Sequence, residues 1–200
     1  MTIIAFISQK GGVGKSTLSQ ALAVKAKKQK LSVLLADCDS QQATSLEWSK
    51  IKGKIPCQVF NQVKEIWPLS KNYELIIIDG PARTSAGTLE IAKKADLLIQ
   101  PTGASRADLI PAVKEFNALK KAGIPIKKLL FVLTRLSTPA EAEAAQEYCQ
   151  KSGYNYSPTV LYEKASYRQV QNEGKAVSEV NYKSLRKQAK DLVNNILKYL

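Results

Sequence analysis

Two hundred residues with 44% hydrophobic side chains suit one domain with a substantial core, and no second domain is expected. The chain has no histidine, which removes His-based acid–base catalysis and ordinary His metal sites, and its three cysteines, Cys38, Cys57 and Cys149, form no C-x-x-C pair that would indicate a zinc cluster. Thirty basic against seventeen acidic residues give a formal charge of +13, which favours a polyanionic partner, DNA ahead of a nucleotide alone, because a phosphate array rewards a broad basic surface through counterion release.

The first predicted element is a buried strand, Thr2 to Ile7, running into Ser8-Gln9-Lys10-Gly11-Gly12-Val13-Gly14-Lys15-Ser16-Thr17 and then a helix over 15–29. Strand, glycine-rich turn and helix in that order are the context of a phosphate-binding loop. Glycines let backbone N–H groups turn around an anion, and the helix adds the positive end of its dipole. Lys15 can reach the β and γ phosphates, and the Ser16 hydroxyl can ligate Mg²⁺. The loop departs from G-x-x-x-x-G-K-[ST] twice: Gln9 stands where the first glycine would, and Lys10 is a second lysine.

A second strand, Ser32 to Ala36, ends at Asp37-Cys38-Asp39. Parallel sheets bind ligands beyond the carboxyl ends of their strands, so Asp37 and Asp39 should emerge beside the loop, one toward Mg²⁺ and its waters and the other toward an attacking water. A helix over 42–52, a short strand Cys57 to Phe60 and a helix over 61–69 follow. The strand Leu75 to Ile78 then delivers Asp79 in a Walker B pattern, where it would hold a Mg²⁺ water while Gly80 to Ser85 sense the γ-phosphate. Arg83 in that segment is open to two roles, a phosphate or DNA contact and an exposed salt bridge.

Helices over 84–93, 106–122, 139–151 and 165–173 alternate with strands Leu97 to Gln100, Leu129 to Thr134 and Pro158 to Leu161. This alternation predicts an α/β fold, a mostly parallel twisted sheet flanked by helices on both faces. The chain closes with a helix over 182–199 whose Leu185, Ala189, Leu192, Val193, Ile196 and Leu200 are at helical spacing, opposite Lys183, Arg186, Lys187 and Lys190. Three readings of it stay open: a helix docked on the domain, one that also contacts DNA, and a membrane-surface anchor. No stretch of about 18 apolar residues and no signal-peptide pattern is present, so a soluble, cytoplasmic protein is expected.

Lys10-Gly11-Gly12-Val13-Gly14-Lys15-Ser16-Thr17 resembles the deviant Walker A motif of the ParA/MinD family of P-loop ATPases. The likeness extends along nearly the whole chain. Asp37 to Gln41 is similar to the family's D-x-D-P-Q switch, with Ser40 in place of Pro, and the following stretch to Trp48 resembles small plasmid partition ATPases. Asp79-Gly80-Pro81-Ala82, Ala95 to Pro101 with Ser105 and Asp108, Leu133-Thr134-Arg135, and Tyr167 to Glu179 match further family elements.

The resemblance implies one ATPase domain over 1–200 that turns over ATP slowly with Mg²⁺ and is stimulated by a partner. It implies a homodimer sandwiching two nucleotides, with Lys15 acting in its own subunit, Lys10 reaching across to the partner's, and Asp39 orienting water. Lys10 to Thr17, with Thr134 and Arg135, would contact nucleotide, and Ser16, Asp37 and Asp79 would serve the metal. It further implies non-specific DNA binding on the nucleoid, through Lys183, Arg186, Lys187 and Lys190 or alternatively Lys25, Lys27, Lys28 and Lys30, and a ParB-like cargo adaptor. Competing readings are a MinD-like membrane switch and a dethiobiotin-synthetase-like ligase, the latter opposed by Lys10 and the net charge.

Overall fold

The computed structural model describes residues 1–81 and 86–200. Part of the expected γ-phosphate switch, Ala82 to Ser85 with Arg83, therefore lies outside the described residues. The strands β1 (Thr2–Phe6), β2 (Val33–Asp37), β3 (Cys57–Val59), β4 (Leu75–Asp79), β5 (Leu97–Thr102), β6 (Leu129–Leu136) and β7 (Asn155–Tyr156) form a sheet in the order β3-β2-β4-β1-β5-β6-β7. A short β8 (Leu161–Tyr162) pairs with the far end of β6, and all of these pairings are parallel.

β1, β4 and β5 read as near-continuous apolar runs because both faces of the sheet are covered. Alternate residues of β1 divide between two cores. Ile3, Ala5 and Ile7 pack with Phe116 and Leu109 of α4 (Arg106–Lys121), Ala142 of α5 (Pro139–Lys151) and Ile91 of α3 (Ala86–Lys94). Ile4 and Phe6 pack with Leu18 and Leu22 of α1 (Lys15–Lys28), Tyr167 of α6 (Ala165–Asn172) and Leu192 of α7 (Lys183–Leu197). Each buried Ile, Leu or Phe among these contributes about 1.5–3 kcal/mol over its exposed state.

The register sets the site. Phe6 pairs with Asp79 and Asp37 pairs with Asp79, so β1, β2 and β4 end level at one edge of the sheet. β1 has β4 on one side and β5 on the other, and such a reversal of strand order opens a crevice beyond the strand ends.

Two expected elements differ, and a third has its open readings narrowed. The segment 61–69 forms two 3₁₀ turns, Val63–Glu65 and Trp67–Asn72, instead of an α-helix, because Pro68 supplies no N–H for an i−4 bond. The strand expected at Pro158 to Leu161 is replaced by β7 and β8 on either side of Pro158, which cannot donate to a ladder. α7 buries Ala189, Leu192, Val193 and Ile196 in the core, so its apolar face is docked and no longer free to act as a membrane anchor.

Candidate functional site

The glycine-rich loop occupies the end of β1, closed by Gly12 at φ 73° and by Gly14 at φ 99°, the left-handed region that favours glycine. Three of its carbonyls are tied by side chains. Lys15 Nζ donates to the Lys10 carbonyl at 3.2 Å, Arg135 Nη1 to the Gly12 carbonyl at 2.8 Å, and the buried Thr134 hydroxyl to the Val13 carbonyl at 2.6 Å. A carbonyl held on one side turns the N–H of the same planar peptide to the other, which is how the loop presents amides to an anion. Thr134 and Arg135, expected to contact nucleotide, are thus also braces of the phosphate loop.

Lys15 is 7% exposed at the start of α1. Burial lowers its pKa, while the Asp79, Asp39 and Glu115 carboxylates oppose that shift. Ser16 beside it is half-buried and lines the cavity.

Asp79 ends β4 and is 2% exposed. Burial pushes its pKa up to about 6, against the pull of the Ser45 and Ser16 hydroxyls. The Ser45 hydroxyl donates to Oδ2 at 2.7 Å, whereas Oδ1 is buried without a hydrogen bond of good geometry among the described residues. An acceptor left open in this way beside Ser16 fits a divalent cation or a water that the cation holds. Among the described residues no three His, Cys, Asp or Glu side chains cluster around one point, so such an ion would take most of its ligands from phosphate and water.

Asp37 has a second task that its position in the sequence does not reveal. Its Oδ2 accepts from the Ser45 and Leu46 amides at 2.8 and 3.1 Å and its Oδ1 from the Asp39 amide at 3.1 Å. It thereby caps α2 (Thr44–Lys52) from the preceding strand, a job its own N-cap, Ala43 at φ 45°, cannot do. Burial raises the Asp37 pKa and the three amides work the other way. Asp39 is half-buried, lines the cavity and accepts from the Gln42 amide at 3.2 Å.

The cavity above the loop measures ≈ 380 Å³. Its outer wall was not among the residues expected from sequence: Tyr167, Arg168 and Gln171 of α6, with Glu163 before it. Gln171 donates to Thr17 Oγ1 at 3.2 Å and to Gln20 Oε1 at 2.9 Å, which fastens this wall to α1. Arg135 and Arg168 share the Glu163 carboxylate at the mouth. The α6 part of the wall falls within the Tyr167 to Glu179 element, and that likeness was the available signal; Glu163 lies outside it.

Lys10 lies outside this cavity. Its Nζ donates to Asp108 Oδ1 at 2.7 Å, in a neighbouring hollow that Lys15 does not line. The four basic residues of α7 do not act as one group: Lys187 pairs with Asp191 at 2.7 Å, Arg186 is half-buried, and Lys183 and Lys190 are exposed. Lys190 borders a groove with Lys25 and Lys28 of α1, so parts of the two expected DNA clusters meet there.

Comparison with known proteins agrees with this fold. A 48-residue stretch is 56% identical to an uncharacterised protein of Borreliella burgdorferi, covering 24% of this chain and 19% of that one. The fold matches an McdA variant from Cyanothece in complex with ATP (TM-score 0.77, 19% identity, 99% of this chain and 96% of that one). It also matches the septum site-determining protein MinD of Pyrococcus horikoshii with Mg-ADP (0.73, 22%, 98% and 95%). A third match is a putative plasmid partition protein from Borrelia burgdorferi bound to AMPPNP (0.74, 17%, 100% and 99%). Residues 4–177 match the family model of the CobQ/CobB/MinD/ParA nucleotide binding domain, and the chain belongs to that family.

Proposed function

We propose that this chain is a ParA-type partition ATPase: one domain that forms an ATP-dependent sandwich dimer, binds DNA without sequence preference and hydrolyses ATP to segregate or position a plasmid or other cargo through a ParB-like adaptor. The observation that carries the reading is the divergence of the two loop lysines. Lys15 is buried against its own loop, whereas Lys10, half-buried, is bonded to Asp108 and lines no part of the cavity. A lysine held outside its own subunit's cavity is suited to serve a partner's.

In this mechanism the loop amides bind the phosphates, and Lys15 with the partner's Lys10 offsets charge on the transferred group. Ser16 and Asp79 would hold Mg²⁺, with Asp37 adding charge from behind through Ser45; the ion would neutralise the β and γ oxygens. Asp39 orients water for in-line attack. Slow turnover suits a dimer switch, because contacts that depend on the γ-phosphate exist only before hydrolysis. The DNA part of the reading draws support from the +13 charge and from Lys25, Lys28 and Lys190 along the α1–α7 groove. A membrane scaffold draws none from α7, whose apolar face is in the core.

A mixing experiment tests the shared site. Lys10→Ala and Lys15→Ala should each abolish ATP hydrolysis, and an equimolar mixture should recover activity, because one site of each mixed dimer then has both lysines. A mixture as inactive as its components would place both lysines in one subunit and overturn the reading.

A further inference from the structure

A second hollow, of ≈ 440 Å³, shares no lining residue with the nucleotide cavity and lies between the C-terminal ends of α1 and α2 and the segment 174–181. Its floor is apolar, from Val24, Trp48 and Ile55. Its rim is basic, from Lys27, Lys28, Lys52, Lys54 and Lys175. Lys28 is paired with Glu179 at 3.0 Å and Lys175 with Glu173 at 2.6 Å, but Lys27, Lys52 and Lys54 have no ion pair among the described residues.

Exposed apolar groups gather at the same place. Four large hydrophobic side chains are exposed among the described residues: Met1, Ile51, Tyr182 and Leu200. Two of these are the chain's ends. Of the others, Ile51 packs beside Gly174 and Tyr182 follows Asn181, and both of those neighbours line the hollow. Exposed apolar and aromatic side chains gathered at the edge of an apolar hollow are features of a protein-binding surface, and the lysines around it select for a partner of opposite charge. A nucleic-acid backbone has no use for an apolar floor, and the α1–α7 groove nearby, which shares only Val24 and Lys28 with this hollow, offers cations without these exposed apolar residues. The hollow also holds a carboxylate already: Glu179 is bound by Lys28 and by the Ala176 amide at 3.0 Å.

We propose that this hollow docks an acidic segment of a partner protein, with one aliphatic or aromatic side chain seated over Val24, Trp48 and Ile55 and its carboxylates on Lys27, Lys52 and Lys54. The site stands on the hollow alone and does not rest on the nucleotide reading. The probe is a displayed library of random dodecapeptides, selected on the full chain and counter-selected on Lys52→Glu/Lys54→Glu. Selected peptides are expected to combine Asp or Glu with Leu, Ile, Phe or Trp. Made synthetically, they should bind about tenfold more weakly to Lys52→Glu/Lys54→Glu and weaken also on Ile51→Ser/Tyr182→Ser. AMPPNP binding, which none of these four residues lines, reports that the variants are folded. The proposal is overturned by the absence of enrichment over the charge-reversed protein, or by purely acidic peptides indifferent to Ile51 and Tyr182. It is equally overturned if no selected peptide competes while a short DNA duplex loses its affinity in Lys52→Glu/Lys54→Glu, which would make DNA the occupant.

Discussion

The Lys10 ammonium and the Asp108 carboxylate, ninety-eight positions apart in sequence, meet at 2.7 Å, and Ser105 donates to the other carboxylate oxygen at 2.6 Å. Gly103 makes room for this, since a Cβ there would lie 2.6 Å from Asp108 Oδ2. Burial tends to raise the Asp108 pKa, but the bonds from Lys10 and Ser105 outweigh it and hold the carboxyl below its ordinary value. The pair is partly exposed and contributes at most about 1 kcal/mol. Releasing Lys10 should therefore ease its transfer to a partner subunit by a small factor. Asp108→Asn is expected to lower the ATP concentration for half-maximal dimerisation, by up to about fivefold, in light scattering. An unchanged or higher midpoint would separate this contact from assembly.

Asp79 gives a pH dependence with a definite sign. The native state holds its proton up to about pH 6, beyond the ordinary 3.8 of the unfolded chain. Stability from this group is full below the unfolded value and is lost as pH rises through about 6, by about 3 kcal/mol when Mg-nucleotide is absent. Asp79→Asn keeps the shape without the charge. Denaturant melts of the nucleotide-free protein between pH 4 and 7 should lose this declining contribution in the variant. Parallel pH profiles for the two proteins would count against a burial-raised pKa at Asp79.

Thr134 carries a prediction about the loop. Its hydroxyl bond to the Val13 carbonyl is buried, so Thr134→Val leaves an acceptor unsatisfied at a cost of about 1–3 kcal/mol. AMPPNP affinity should fall with stability, because the same carbonyl fixes the amide that faces the phosphates. Isothermal titration would detect it, and undiminished affinity would show that the loop holds its shape without the brace.

Local pattern made much of this protein legible from sequence. The strand–loop–helix at Lys10 to Thr17 and the apolar run into Asp79 are short-range signals, and their positions follow from the ends of β1 and β4. What escaped depends on distant partners. The capping task of Asp37 shows only once Ser45 and Leu46 turn back onto it, and the α6 wall reaches the cavity just after β8 pairs with β6. The lysines of the second hollow come from 27–28, 52–54 and 175, a convergence no single window contains. The 3₁₀ turns at 63–72 were missed for a local reason, since Pro68 outweighs the helical spacing around it.

Gly80 tests how far the site depends on the sheet beneath it. Its amide donates to the Phe6 carbonyl at 2.9 Å, and a Cβ on it would stand 2.5 Å from that same oxygen. Backbone cannot swing aside as a side chain does, so Gly80→Ala must part β1 from β4 where the phosphate loop begins and Asp79 ends. The expected cost is about 1–3 kcal/mol of stability, accompanied by a loss of nucleotide affinity, because the loop and the carboxylate move relative to each other. Gly53, at φ 58° with nothing within 4 Å of an added Cβ, supplies the contrast. Gly53→Ala should cost about 1–2 kcal/mol through left-handed strain alone and leave AMPPNP affinity unchanged. Equal effects of the two substitutions on affinity would mean that the site tolerates displacement of the strand ends.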